Sequence, residues 1–188
     1  DGDGSAGLTT GWKEFEGIHH RGDWDLSRHQ KFSGEDMSYF DEETRKKFIP
    51  WVIETSGGVD RAALFFMCDA YEEEILNPKS ENGDTRVVLK LHPKLAPYKV
   101  AVFPLLANKP QLVKLARSIY DDLRGEFMVA WDERGNIGKR YRAQDEVGTP
   151  YCVTVDFESV DNGDVTLRGR DTMKQERIRI EELKACLG

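Results

Sequence analysis

Bulky apolar side chains, Trp12, Phe15 and Ile18, are interspersed with polar ones over residues 12–19, which predicts a half-buried strand. A polar turn at residues 20–26 leads into a short helix. Residues 37–40 and 47–53 flank Asp41-Glu42-Glu43-Thr44-Arg45, which predicts a β-hairpin with a solvated tip and a second strand ending at Glu54. Ser56-Gly57-Gly58 breaks that strand, and the spacing of Ala62, Phe65, Phe66 and Ala70 predicts a helix over 59–76. Its Glu72-Glu73-Glu74 run reads as a solvated helix end. Asn, Pro, Ser and Gly mark residues 77–84 as a loop.

The pattern changes between Pro93 and Pro97. Residues 98–105 form a continuous apolar run, as expected of a strand buried on both faces. Leu112, Leu115, Ala116, Ile119, Tyr120 and Leu123 then recur at helical spacing over 110–124, before Gly125. A second strand over 127–131 and a second helix over 136–147 follow. Residues 151–157 and 165–170 alternate like antiparallel strands joined by an Asn162-Gly163 hairpin, and 176–187 reads as a short strand entering a helix. The order predicts an α/β (α+β) chain in two parts, 1–93 and 94–188, the second a compact three-layer mixed-sheet domain.

Composition narrows the class. The 188 residues carry 39% hydrophobic and 32% charged side chains, a globular rather than a disordered balance. No apolar run approaches the roughly 20 residues that span a bilayer. The N-terminal Asp1-Gly2-Asp3-Gly4 is acidic, unlike a signal peptide or a basic arm. Three separated cysteines, Cys68, Cys152 and Cys186, without a C-x-x-C pair, argue against a disulfide framework or zinc site and for a reducing, cytoplasmic setting. All three read as core thiols. The net charge of -7 is uneven: residues 1–93 hold 11 basic and 19 acidic side chains, residues 94–188 hold 16 and 15. A near-neutral half still binds nucleic acid when its arginines share a face.

One local motif carries chemistry. In Glu54-Thr55-Ser56-Gly57-Gly58-Val59-Asp60-Arg61, a strand ends, two glycines admit a ligand to the backbone, and a helix opens with an arginine in its first turn. Backbone N–H groups at a helix start favour anionic oxygen, and Arg61 can pair with phosphate or stack on a purine. Glu54 and Ser56 could hold an ammonium and a small polar ligand. The same letters also fit a plain strand-to-helix turn with Arg61 in a surface ion pair. Two clusters suit RNA: Lys139, Arg140, Tyr141 and Arg142 for phosphate and base-face contact, and Arg170, Asp171, Thr172, Met173, Gln175 and Arg177 for edge hydrogen bonds and an apolar surface. A solvated helical face and a structural Asp171 or Arg177 ion pair are the competing readings. His19, His20, Asp23, Asp25 and His29 are metal-capable in type, yet adjacent strand histidines point to opposite faces, so no metal site is expected.

Five blocks in order carry a resemblance: W-K-E-F-E-G-I-H-H-R-G-D-W-D at 12–25, E-T-S-G-G-V-D-R-A at 54–62, V-L-K-L-H-P-K-L-A-P at 88–97, G-K-R-Y-R-A-Q-D-E-V-G-T-P-Y at 138–151 and R-D-T-M-K-Q-E-R at 170–177. Together they resemble the C-terminal part of a dimeric-type glycyl-tRNA synthetase, a class II aminoacyl-tRNA synthetase. The resemblance implies the end of an antiparallel class II sheet with its motif 3 helix over 1–93, and an anticodon-binding domain over 94–188. It assigns Glu14, Phe15, Gly58, Val59, Asp60 and Arg61 to ATP, with Glu16 a further candidate. Glu54, Thr55, Ser56, Gly57 and Gly58 go to glycine, and Lys139, Arg140, Arg142, Arg170, Asp171, Met173, Gln175 and Arg177 to the tRNA anticodon. Thr55 stands where many members have proline.

ATP as substrate with Mg²⁺, tRNA(Gly) as partner and a homodimeric complete enzyme are the further implications. Adenylate chemistry needs no nucleophilic side chain, so no catalytic residue is named. Motifs 1 and 2 of the family do not appear, and the chain alone is expected not to activate glycine. The alternative is a non-catalytic tRNA- or RNA-binding relative, or an excised anticodon-binding module.

Overall fold

A computed structural model describes residues 14–76 and 85–188. The expected loop at 77–84 and the start of the first predicted strand lie outside the described residues. The chain divides into two compact units, Asp1–Phe65 and Phe66–Gly188.

In the first unit, β1 (Glu16–Gly22) and β4 (Val52–Gly57) pair antiparallel, with α1 (Trp24–Ser33) between them in sequence. β2 (Tyr39–Asp41) and β3 (Lys46–Phe48) form the predicted hairpin. The single strand expected over 47–54 is two strands. Pro50 has no N–H to give a ladder and separates β3, which closes the hairpin, from β4, which turns to β1. Gly34 closes α1 with a left-handed backbone.

Next come α2 (Val59–Ala70), β5 (Tyr71–Ile75) and β6 (Thr85–Leu89). The helix expected to reach residue 76 therefore stops at Ala70, and Glu72-Glu73-Glu74 lies on a strand. Pairing overrides helical spacing here: Glu74 sits opposite Arg86 across the β5–β6 ladder, and Lys90 Nζ lies 2.6 Å from Glu72 and 2.9 Å from Glu74. The other elements are β7 (Val100–Pro104), α3 (Pro110–Leu123), β8 (Val129–Trp131), α4 (Ile137–Val147), β9 (Tyr151–Val155), α5 (Phe157–Asn162), β10 (Asp164–Gly169), β11 (Gln175–Arg179) and α6 (Leu183–Leu187).

Five strands form one mixed sheet in the order β11-β10-β9-β7-β8. β7 runs parallel to β8 and β9, while β9–β10 and β10–β11 are antiparallel. Alternation along β7 produces the layers. Val100 and Val102 pack with Ala116, Ile119 and Leu123 of α3 and with Leu183 and Leu187 of α6. Ala101 and Phe103 face the other way, joined by Cys152 and the Ile137 and Tyr141 side chains of α4. The expected three-layer mixed sheet is present.

Two local expectations are corrected. β9 and β10 are not joined by an Asn-Gly turn: Asp156 and Ser159 form a reciprocal capping box that starts α5, and Gly163, at φ 70°, ends it. Of the three expected core thiols only Cys152 is buried, which pushes its thiol up to about 12. Cys68 and Cys186 are exposed. α2 buries only Ala70, and Cys186 falls on the outer side of α6 between the inward Leu183 and Leu187.

Candidate functional site

The antiparallel register of β1 and β4 sets Glu16 opposite Gly57, Gly17 opposite Ser56 and His19 opposite Glu54. Two segments separated by about forty residues thus share one end of a ladder. Arg61, in the first turn of α2, reaches back so that its Nη1 donates to the Glu14 carbonyl at 2.9 Å. Phe15 lies against Phe65, with ring centroids 4.8 Å apart. Glu14, Phe15, Gly57, Gly58, Val59 and Arg61 therefore cluster, while Val59, Asp60 and Arg61 stay exposed.

Glu54 and Ser56 project from one face of β4 and Thr55 from the other. Arg21 Nε lies 3.4 Å from Glu54 and bonds Asp25 at 2.5 Å. That hydrogen bond holds the Asp25 carboxyl below its ordinary range, and both carboxylates face the Arg21 guanidinium. Among the described residues, no three His, Cys, Asp or Glu side chains gather as metal ligands.

In the second unit, α4 carries the basic candidates. Asn136 caps the helix by accepting from the Lys139 N–H at 2.9 Å, and Lys139 and Arg142 lie on its exposed side. Arg140 differs from the expected RNA contact: it is only 2% exposed. Its Nη1 donates to the Pro104 carbonyl at 2.7 Å and its Nη2 to the Leu105 carbonyl at 3.1 Å, and its Nε has no partner. Helical spacing turns Arg140 inward between Lys139 and Arg142, over Phe103. Desolvation lowers its pKa, opposed by Asp132.

Residues 169–174 make a tight turn after β10. The Gly169 N–H donates to the Lys174 carbonyl, the Arg170 N–H to the Pro150 carbonyl and the Lys174 N–H to Thr172 Oγ1. Met173 adopts φ 55°, unusual for a residue with a side chain. Asp171, Met173 and Gln175 are exposed. Arg170 is not: it is buried, donating to the Gly148 carbonyl and to Asp171, each at 2.7 Å. Arg177 pairs with Asp156 at 2.6 Å and with Asp164, and it bonds Thr166. Partial burial raises the Asp156 pKa, but hydrogen bonds from Arg177 and Ser159 outweigh it and hold the carboxyl below its ordinary range.

Residues not singled out as candidates join α4 to this turn. Asp145 of α4 bonds Arg168 of β10 bidentately at 2.8 and 2.9 Å, and Arg86 of β6 at 3.1 Å. The sequence offered one sign of them: β6 alternates, and Arg86 takes the inward position beside Val88.

The profile of the anticodon binding domain family matches residues 99–187. Over 94% of its length the chain is 55% identical to a glycine–tRNA ligase of Geobacillus kaustophilus, covering 37% of that protein. It is 53% identical to the glycine–tRNA ligase of Lachnospira eligens over 93% of the chain and 36% of the relative. For the Borreliella afzelii enzyme of the same name the identity is 51%, over 92% of the chain and 38% of the relative. The chain thus spans a little over a third of the relatives it matches. Residues 99–187 thus match an anticodon-binding domain, and the chain over most of its length is similar to part of the glycine–tRNA ligases.

Proposed function

We propose that this chain supplies the motif 3 side of the adenylate pocket and the anticodon-reading domain of a glycine–tRNA ligase. That enzyme activates glycine with ATP and transfers it to tRNA(Gly). One observation carries the adenylate half: the β1–β4 register gathers Glu14, Phe15, Gly58 and Arg61, which arrive from distant segments. In this reading Arg61 takes the nucleotide by charge and planar stacking, and the exposed backbone of Gly57–Gly58 lets it approach closely. Asp60 and Val59 border the nucleotide. Glu54 and Ser56, on one strand face, hold the glycine ammonium and help to exclude any larger side chain, with Thr55 and Gly57 beside them in the strand.

The RNA half rests on the exposed Lys139, Arg142, Asp171, Met173 and Gln175, with Arg140 and Arg170 serving as the frame beneath them. Arg177 reads RNA from within its acidic cradle. The complete enzyme works as a cytoplasmic homodimer, and the chain alone does not turn over glycine.

The second reading is an RNA-binding module without adenylation. Packing supports it, since both clusters of buried apolar residues belong to the sheet of the second unit. Titrating the chain with glycine tRNA and with the same tRNA carrying a swapped anticodon tests the RNA half. A preference of tenfold or more is expected, and equal binding rejects it. ATP binding that falls on Arg61→Ala while tRNA binding holds favours the ligase portion. No ATP binding at all leaves the module.

A further inference from the structure

The Arg86–Asp145–Arg168 cluster touches neither face where ligands are proposed, and it is among the least exposed charge in the chain. Arg86 is 2%, Asp145 1% and Arg168 5% exposed. Two cations meet two carboxylates: Asp145 takes both arginines, and Glu74 accepts from Arg86 Nε at 3.0 Å and Nη2 at 2.6 Å. The cluster is neutral as a whole. Burying such a network gives little net stability over an apolar core of equal volume, so stability alone does not account for it.

Its geometry does more than hold charge. Arg86 Nη1 donates both to Asp145 and, at 2.8 Å, to the backbone carbonyl of Arg170, the first residue after β10. Arg170 in turn donates to the carbonyl of Gly148, the residue that ends α4. Each donor is a planar guanidinium with a fixed fork, so the distances it sets vary little. The exposed residues of the turn, Asp171 and Met173, are thereby held at a set offset from α4, which carries Lys139 and Arg142 six and three positions before Asp145.

We infer that Arg86, with Asp145, is a positioning residue that fixes the 170–174 turn relative to α4, so that base-edge and phosphate contacts act on one RNA loop together. This rests on the anticodon reading proposed above. Arg86 itself touches no RNA: it is 2% exposed, and its guanidinium donates to Glu74, Asp145 and the Arg170 carbonyl. An ammonium in its place keeps charge for Asp145 and Glu74 but has no fork to reach Asp145, Glu74 and the Arg170 carbonyl at once.

The test compares Arg86→Lys with the parent chain in two ways. Amide exchange of residues 169–174 is expected to quicken tenfold or more in the variant, with α3 amides unchanged as an internal control. Binding to glycine tRNA is expected to drop towards that of the anticodon-swapped tRNA, a loss of discrimination of tenfold or more, while the swapped tRNA binds within twofold of the parent. Its salt dependence stays the same, because the phosphate contacts are untouched. Unchanged exchange and unchanged discrimination in a folded variant overturn the inference. A parent chain without discrimination rejects the anticodon reading, and the exchange measurement still decides whether Arg86 holds the turn. If Arg86→Lys does not fold, Glu74→Gln loosens Arg86 from its outer side; exchange at 169–174 no faster than in the parent then overturns it.

Discussion

The two units use apolar residues in opposite ways. In the second, Val100, Val102, Val153 and Val155 are fully buried, because a five-stranded sheet has helices against both faces. In the first, the described strands form two-stranded pairs, which cannot enclose side chains on both sides. There Ile18 stays 75% and Phe32 76% exposed, and α1 buries no residue. Similar apolar letters thus yield a core in one unit and open surface in the other. The local topology supplies residues 1–65 with fewer layers, and that stretch is also less hydrophobic than residues 66–188.

The strongest way to break that comparison is at the charged centre of the second unit. Asp145→Ala removes the one carboxylate that the buried Arg86 and Arg168 guanidinium groups share and is expected to cost about 3–5 kcal/mol in urea unfolding. A loss below about 1 kcal/mol would show that water or rearrangement replaces the carboxylate. Next in size is the apolar contrast. Leu112→Ala, at a fully buried site of α3, should cost about 2–5 kcal/mol, whereas Phe32→Ala in α1 should stay within about 0.5 kcal/mol. Comparable losses would mean that the first unit has a cooperative core of its own.

Gly148→Ala is expected to cost about 1–3 kcal/mol, because the backbone sits at φ 87° and an added Cβ would lie 3.0 Å from the Leu89 carbonyl oxygen. Melting temperature reads this directly, and an unchanged value would show that β6 gives way.

Acid sharpens the contrast further. Glu74 is held low first by its hydrogen bond from Lys90, against burial and with help from Arg86, and Asp156 is held low as described. A depressed carboxyl contributes stability that is present above its unfolded value, 4.5 for Glu74 and 3.8 for Asp156, and is lost as pH falls through its lower folded value. Stability of the second unit should therefore fall from pH 5 downward, and Asp156→Asn should flatten that slope while preserving the helix cap. An equally steep slope in the variant would remove Asp156 from the account. The smallest effect is on thiols: a disulfide reagent should titrate Cys68 and Cys186 in the folded chain, with Cys152 reacting only after unfolding. Three rapid equivalents would contradict the burial of Cys152.

Local pattern reached far in the second unit. The apolar run at β7, the helical spacing of α3, the helix at α4 and the strands β9 and β10 are legible from short-range properties of the chain, and the structure keeps them, although β9 is buried on both faces rather than alternating. It reached less far where partners are distant. Glu72-Glu73-Glu74 looked like a helix end because Lys90 and Arg86, which draw it into a strand, lie 12 or more residues away. The glycine-rich turn and Arg61 were legible as candidates, while the Glu14 carbonyl that Arg61 meets was not.

The arginines mark the division most clearly. By itself the sequence determined most of the elements after Pro97, their three-layer arrangement and the glycyl-tRNA synthetase resemblance, because periodicity and colinear motifs are written along one chain. Only the tertiary structure decided which cations face solvent. Lys139, Arg140 and Arg142 are near neighbours in sequence, yet helical geometry turns Arg140 inward onto backbone carbonyls and leaves the other two outside. Burial depends on what packs against a residue, and for Arg86, Asp145 and Arg168 that partner comes from a different part of the chain.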